Sequence, residues 1–191
     1  MRALIVAVIA VPMAVILLVG AALSSALPTA AVPTGAALAR TTHVGGVEPF
    51  TGTSSGCTTP DPTGTGGCVT PATAWLYTQM QAAFGPLPTS CWDAHAWNPG
   101  SDHPRGRACD VTFGRPGRFP DAADTARGWA VATWLRDNAG QLHVAYVIWQ
   151  GRIWSSSQDP QGWRAYSGGG VYNPSDPTGG HYDHIHVSTR N

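Results

Sequence analysis

The chain has 191 residues, no formal net charge at neutral pH and only 12% charged residues. All eleven basic residues are arginine, and they are scattered, so the basic face that nucleic acid requires is not there. With 23 glycines and 16 prolines, one loop-rich domain plus an accessory segment is expected in preference to a helical bundle.

Residues 1–26 have the pattern of a signal peptide. Arg2 supplies the positive start, residues 4–23 are almost wholly apolar, and Ser24-Ser25-Ala26 offers small residues for cleavage. The apolar run is also long enough to stay behind as an N-terminal membrane anchor. Either outcome places the rest of the chain outside the cytoplasm. Residues 27–56, rich in Ala, Pro, Thr and Gly, read as a flexible spacer, and residues 57–191 as the folded domain. Four cysteines, Cys57, Cys68, Cys91 and Cys109, imply disulfides in an exported chain. Of the three pairings, Cys57–Cys68 and Cys91–Cys109 close the shortest loops and are expected. Each would contribute about 2–4 kcal/mol. No Cys-x-x-Cys pair is present, which argues against a thiolate metal site.

Thr70-Pro71 opens a helix, with Trp75, Leu76, Met80 and Phe84 at helical spacing and Gly85-Pro86 as its stop. Residues 90–97 alternate loosely and read as a strand, as do residues 108–113. A second helix spans 121–138, with Asp121 at its start and Ala126, Trp129, Ala130, Thr133 and Trp134 as its packing face. Residues 142–149 are rich in β-formers, Gln150-Gly151 is a hairpin turn, and residues 152–155 return. The long stretch 156–180 is expected to wall a substrate cleft, lined by Trp163, Tyr166 and Tyr172.

The chemistry-bearing residues gather in two short stretches. Ser101-Asp102-His103-Pro104-Arg105-Gly106-Arg107-Ala108-Cys109-Asp110 and His181-Tyr182-Asp183-His184-Ile185-His186 hold four of the seven histidines. Imidazoles and a carboxylate at this density suit a divalent transition metal, zinc first. His103 and Asp110 are seven positions apart across a turn. A helix would separate them by about 10 Å, so they can share a metal only if the chain folds back. His184 and His186 share one face of a strand. Asp183 points away from that face unless it precedes the strand.

The two stretches resemble the zinc metallopeptidase superfamily of lysostaphin, D-Ala-D-Ala peptidases and Hedgehog domains. Ser101, His103, Gly106, Ala108 and Asp110 match the Ser-x-His-x-x-Gly-x-Ala-x-Asp motif of the D-Ala-D-Ala carboxypeptidase-like branch, and His184 and His186 match His-x-His. The resemblance implies that His103, Asp110 and His186 bind Zn2+. It makes Asp183, where the branch has glutamate, the catalytic base, and gives His184 the transition-state oxyanion. Arg105, Arg107 and His181 are candidates for substrate binding. The implied fold is α+β: a small antiparallel sheet with helices packed on one side, the zinc site on the sheet, and long loops. The implied function is a secreted or membrane-anchored zinc peptidase of the bacterial cell wall. A water activated at the open metal position would attack an amide of a peptidoglycan stem peptide, as a carboxypeptidase or endopeptidase. A monomer is expected. The competing class is a non-catalytic zinc domain that binds wall peptide or a protein partner, a reading the Asp-for-Glu change at Asp183 keeps open. A two-His, one-carboxylate iron oxygenase usually has its first His and acid one residue apart, whereas six residues intervene here.

Overall fold

A computed structural model describes residues 46–191. The expected signal peptide and most of the expected spacer lie outside the described residues. The fold is α+β with two antiparallel sheets. A two-stranded one pairs β1 (Thr59–Pro60) with β2 (Cys68–Val69). The larger sheet has six strands in the order β3-β4-β8-β5-β6-β7: β3 (Thr89–Ser90), β4 (Ala108–Thr112), β5 (Val144–Trp149), β6 (Arg152–Ser155), β7 (Arg164–Ala165) and β8 (His184–Thr189). Every neighbouring pair is antiparallel. The sheet is therefore larger than the sequence suggested, because two-residue strands at both edges carry no periodic signal.

Helix α1 (Pro71–Phe84) starts where Thr70 caps it by accepting the Thr73 amide N–H. Helix α2 (Ala122–Asp137) starts the same way, with Asp121 accepting from the Asp124 amide at 2.8 Å. Leu76 and Met80 of α1 and Val131 and Leu135 of α2 join Cys109, Val111, Ile185 and Val187 of the sheet in one buried core. Gly128 of α2 lies so close to the Trp149 ring that a β-carbon there would collide with it. The β5–β6 turn has positive φ at Gln150 (51°) and Gly151 (65°), the two-residue hairpin geometry expected of it.

Three sequence expectations are corrected. The strand expected at 90–97 is only Thr89–Ser90; the chain then follows irregular loop to residue 102. The spacer was to run to residue 56, but Val47 already packs on the core, the Phe50 amide donates to Gln141 O at 2.9 Å, and Glu48 O accepts from the Trp75 indole. Trp163 packs edge-on against Trp129 (centroids 5.2 Å apart) and the core, not in a cleft.

The disulfides are Cys57–Cys68 and Cys91–Cys109, and no described cysteine is free. They point to an oxidising, extracytoplasmic setting. No helix among the described residues is long and apolar enough to cross a membrane.

Candidate metal centre

Asp110 on β4 and His186 on β8 are directly opposite each other across the strand pair, which places their side chains within reach on one face. Ile185 and Val187, on the alternate face, enter the core. His103 arrives from a short 3-10 turn, His103–Arg105, that precedes β4. Two residues of the first motif, Ser101 and Gly106, build that turn. Ser101 Oγ accepts the His103 amide at 3.3 Å. Gly106 takes a left-handed conformation (φ 65°), and a β-carbon there would lie 2.5 Å from Cys68 O. Ala108 is fully buried.

These elements bring His103, Asp110 and His186 together as a group that could hold a metal ion. His103 Nδ1 donates to Cys91 O at 2.6 Å, so in the neutral ring Nε2 carries the lone pair. That Nε2 lies 3.3 Å from Asp110 Oδ1 and 3.2 Å from His186 Nδ1, and His186 Nδ1 lies 3.0 Å from Asp110 Oδ1. The Cys91–Cys109 bridge ties together the strand that carries Asp110 and the carbonyl that orients His103. Burial opposes charge on Asp110, but His184 and His103 outweigh it and hold its carboxyl well below the usual range. Asp110 is thus an anion between imidazoles.

His184 lies beside the group, Nε2 at 3.9 Å from Asp110 Oδ1 and Nδ1 at 2.7 Å from Asp183 Oδ1. Burial disfavours its charged form, but Asp110 and Asp183 prevail and raise its pKa. Asp183 immediately precedes β8, as required, yet it does not face the cleft. It is 2% exposed, and its Oδ2 accepts from the Gly117 amide (2.5 Å) and the Thr178 hydroxyl (2.9 Å). Burial would raise its pKa, but these hydrogen bonds and that from His184 lower it. With both oxygens engaged, Asp183 is placed to orient His184, not to collect a proton from the cleft.

The cleft holds about 450 Å³ and is lined by all four metal-region histidines, Asp110, Tyr146 and the loop residues Tyr166 and Tyr172. His181, a substrate-binding candidate, is here: its ring centroid is 4.6 Å from that of His184, and its Nδ1 is buried with no hydrogen-bond partner among the described residues. Desolvation, then His184 and His186, keep it neutral. Arg105 and Arg107 are not in the cleft. Both pair with Asp102 and line a separate cavity with Thr70, Cys57 and Asn191, which corrects the expectation that they contact substrate there.

The sequence reading missed His95, Trp97 and Tyr146. His95 has positive φ (43°) and its ring lies 4.9 Å from that of His103. Trp97 is 66% exposed at the cleft mouth. No motif flags any of them. A non-glycine residue held at positive φ is the only local signal, and it appears only in the structure.

Fold and site together define an α+β domain with a two-histidine, one-carboxylate candidate metal centre on its sheet. The chain belongs to the VldE C-terminal domain family, whose model matches residues 65–182. The match takes in His103, Asp110 and His181 and ends just before Asp183, His184 and His186. No curated protein and no solved structure matches the chain.

Proposed function

We propose that the protein is an extracytoplasmic zinc peptidase acting on the peptides of bacterial peptidoglycan. The observation that carries this reading is the convergence of His103 Nε2, Asp110 Oδ1 and His186 Nδ1 at separations of 3.0–3.3 Å. In a tetrahedral site with metal–ligand bonds of about 2.0–2.1 Å, neighbouring ligand atoms lie about 3.3 Å apart, and three protein ligands leave one position open. The donor set therefore fits zinc. Bound there, zinc supplies Lewis acidity toward a carbonyl oxygen and lowers the pKa of a coordinated water to about 7.

The chain's own residues would carry the protons. His184 takes one at Nε2 from the attacking water and returns it to the leaving amine as the C–N bond breaks. Asp183 holds the His184 Nδ1–H and stabilises the imidazolium. This assigns the base to His184 and makes Asp183 its positioning residue, with the neutral His181 ring left to hydrogen-bond substrate. The motif resemblance described above supports a cell-wall setting, and the two disulfides support an extracytoplasmic one.

The cleft lining also favours one substrate class. Among the described residues no arginine lines it, so a free C-terminal carboxylate beside the scissile bond would find no guanidinium to pair with. That favours cleavage of an internal amide over removal of a terminal residue.

The test is zinc-loaded protein incubated with purified peptidoglycan and soluble wall peptides, with products read by mass spectrometry. His103→Ala, Asp110→Ala and His186→Ala are expected to lose both zinc and cleavage. Binding of wall peptide without any product would establish the non-catalytic reading instead. Removal of only the C-terminal residue would overturn the internal-amide assignment.

A further inference from the structure

Behind His186 a line of side chains leads away from the cleft. His186 Nε2 lies 3.2 Å from the Tyr146 hydroxyl and 3.0 Å from Ser188 Oγ. The Tyr146 ring stacks on His186, with centroids 5.4 Å apart and an interplanar angle of 17°. The Tyr146 hydroxyl reaches Asp102 Oδ2 at 3.0 Å. The other Asp102 oxygen accepts from Arg107 Nη2 and lies 3.7 Å from Arg105 Nη1.

The directions of these hydrogen bonds follow from the end of the chain. The arginine-paired carboxylate of Asp102 can only accept, so the Tyr146 O–H donates to it. The Tyr146 oxygen then offers a lone pair to His186 Nε2, which draws the proton there against the Asp110 carboxylate 3.0 Å from Nδ1. Ser188 Oγ can accept that same proton; it could donate to Nε2 only in the opposite tautomer, which would leave a proton on Nδ1. Nδ1 is the atom that faces His103 and Asp110, and it can bind a metal only if unprotonated.

We propose that Asp102 and Tyr146, anchored by Arg107, are positioning residues that fix the tautomer and ring plane of His186 and so set the metal affinity of the centre. This rests on the metal reading above. It also gives Arg107 and Asp102, which lie outside the cleft, a task at the site. The partners come from two separate segments: Asp102 and Arg107, which flank the 3-10 turn, and Tyr146 on β5.

The experiment measures zinc dissociation constants by competition with a chromophoric chelator, for the wild type, Tyr146→Phe, Asp102→Asn and the double variant. The melting temperature of each zinc-free protein is taken alongside. Each single substitution is expected to weaken zinc binding about 10–100-fold. The zinc-free melting temperature of Tyr146→Phe should stay close to that of the wild type, and the double variant should bind no more weakly than the weaker single, as members of one chain should. Ring-nitrogen NMR of zinc-free protein reads the tautomer directly: His186 protonated on Nε2 in the wild type, mixed in Tyr146→Phe. Wild-type zinc affinity in Tyr146→Phe would overturn the proposal, as would a wild type with His186 protonated on Nδ1. A wild type that binds no zinc would sink the metal reading, and the NMR result would still decide the relay.

Discussion

Replacing Asp183 by asparagine separates a positioning role from a direct one. Asp183 Oδ2 accepts two donors, the Gly117 amide and the Thr178 hydroxyl. An asparagine can satisfy the Gly117 N–H only with its carbonyl oxygen, which turns its NH2 toward His184 Nδ1. The imidazole must then place its lone pair on Nδ1 and its proton on Nε2, where it can no longer take one from the cleft. The variant also removes a negative charge about 4 Å from the imidazolium, worth about 4 kcal/mol at an effective dielectric near 20, or roughly 10³-fold in rate. With the wrong tautomer added, kcat should fall about 10³–10⁴-fold. Zinc content should not change, since no ligand is touched, and KM should stay within about threefold. The assay is steady-state hydrolysis of a soluble wall peptide with metal analysis of the same samples, run also on His184→Ala and the double variant. Groups acting as a unit are non-additive, so the double variant should be no slower than the slower single. Retention of kcat within tenfold by Asp183→Asn, or by His184→Ala, would refute the assignment. Full activity in His184→Ala with loss in Asp183→Asn would return the base to Asp183.

Two further outcomes concern stability. Replacing both Cys91 and Cys109 by serine opens an 18-residue separation and should cost about 3 kcal/mol, or about 6–12 °C in Tm. It should loosen zinc more than loss of Cys57–Cys68 does, because the Cys91 carbonyl orients His103; calorimetry and chelator competition check both. Asp61 is a second buried anchor. Burial would raise its pKa, but hydrogen bonds from Thr65, Thr63 and the Trp92 amide lower it, as hydrogen bonds do for Asp183. A carboxyl with its folded pKa lowered stabilises the fold above its ordinary value, near 3.9, and that stability is lost as pH falls through the folded value. The melting temperature of zinc-free protein should therefore drop as pH falls below about 4, less steeply in Asp61→Asn; an unchanged slope in that variant would remove Asp61 from the account.

Much of this molecule is written locally. Thr70-Pro71 and Asp121 start helices because a side-chain oxygen next to an orphan amide acts within three residues. Gln150-Gly151 turns a hairpin for equally local reasons. The Cys57–Cys68 and Cys91–Cys109 pairs are nearest neighbours in a chain whose bridges close short loops. The alternation in His184-Ile185-His186-Val187 separates a cleft face from a core face, because a strand has period two. The family resemblance of its two motifs named His103, Asp110 and His186 as candidate ligands without any coordinates. The sequence could not say where a side chain goes once its backbone is placed. Asp183 precedes its strand, the condition its expected role set, yet its carboxylate is drawn under His184 by the Gly117 amide, 66 residues away in the chain. Arg105 and Arg107 sit inside the motif but turn to Asp102 and a different cavity. His95, Trp97 and Tyr146 reach the cleft from loops and a strand with no local signature of a site. For Asp183 and Tyr146 the deciding partner is distant in sequence, and only the packed sheet brings it within hydrogen-bonding range.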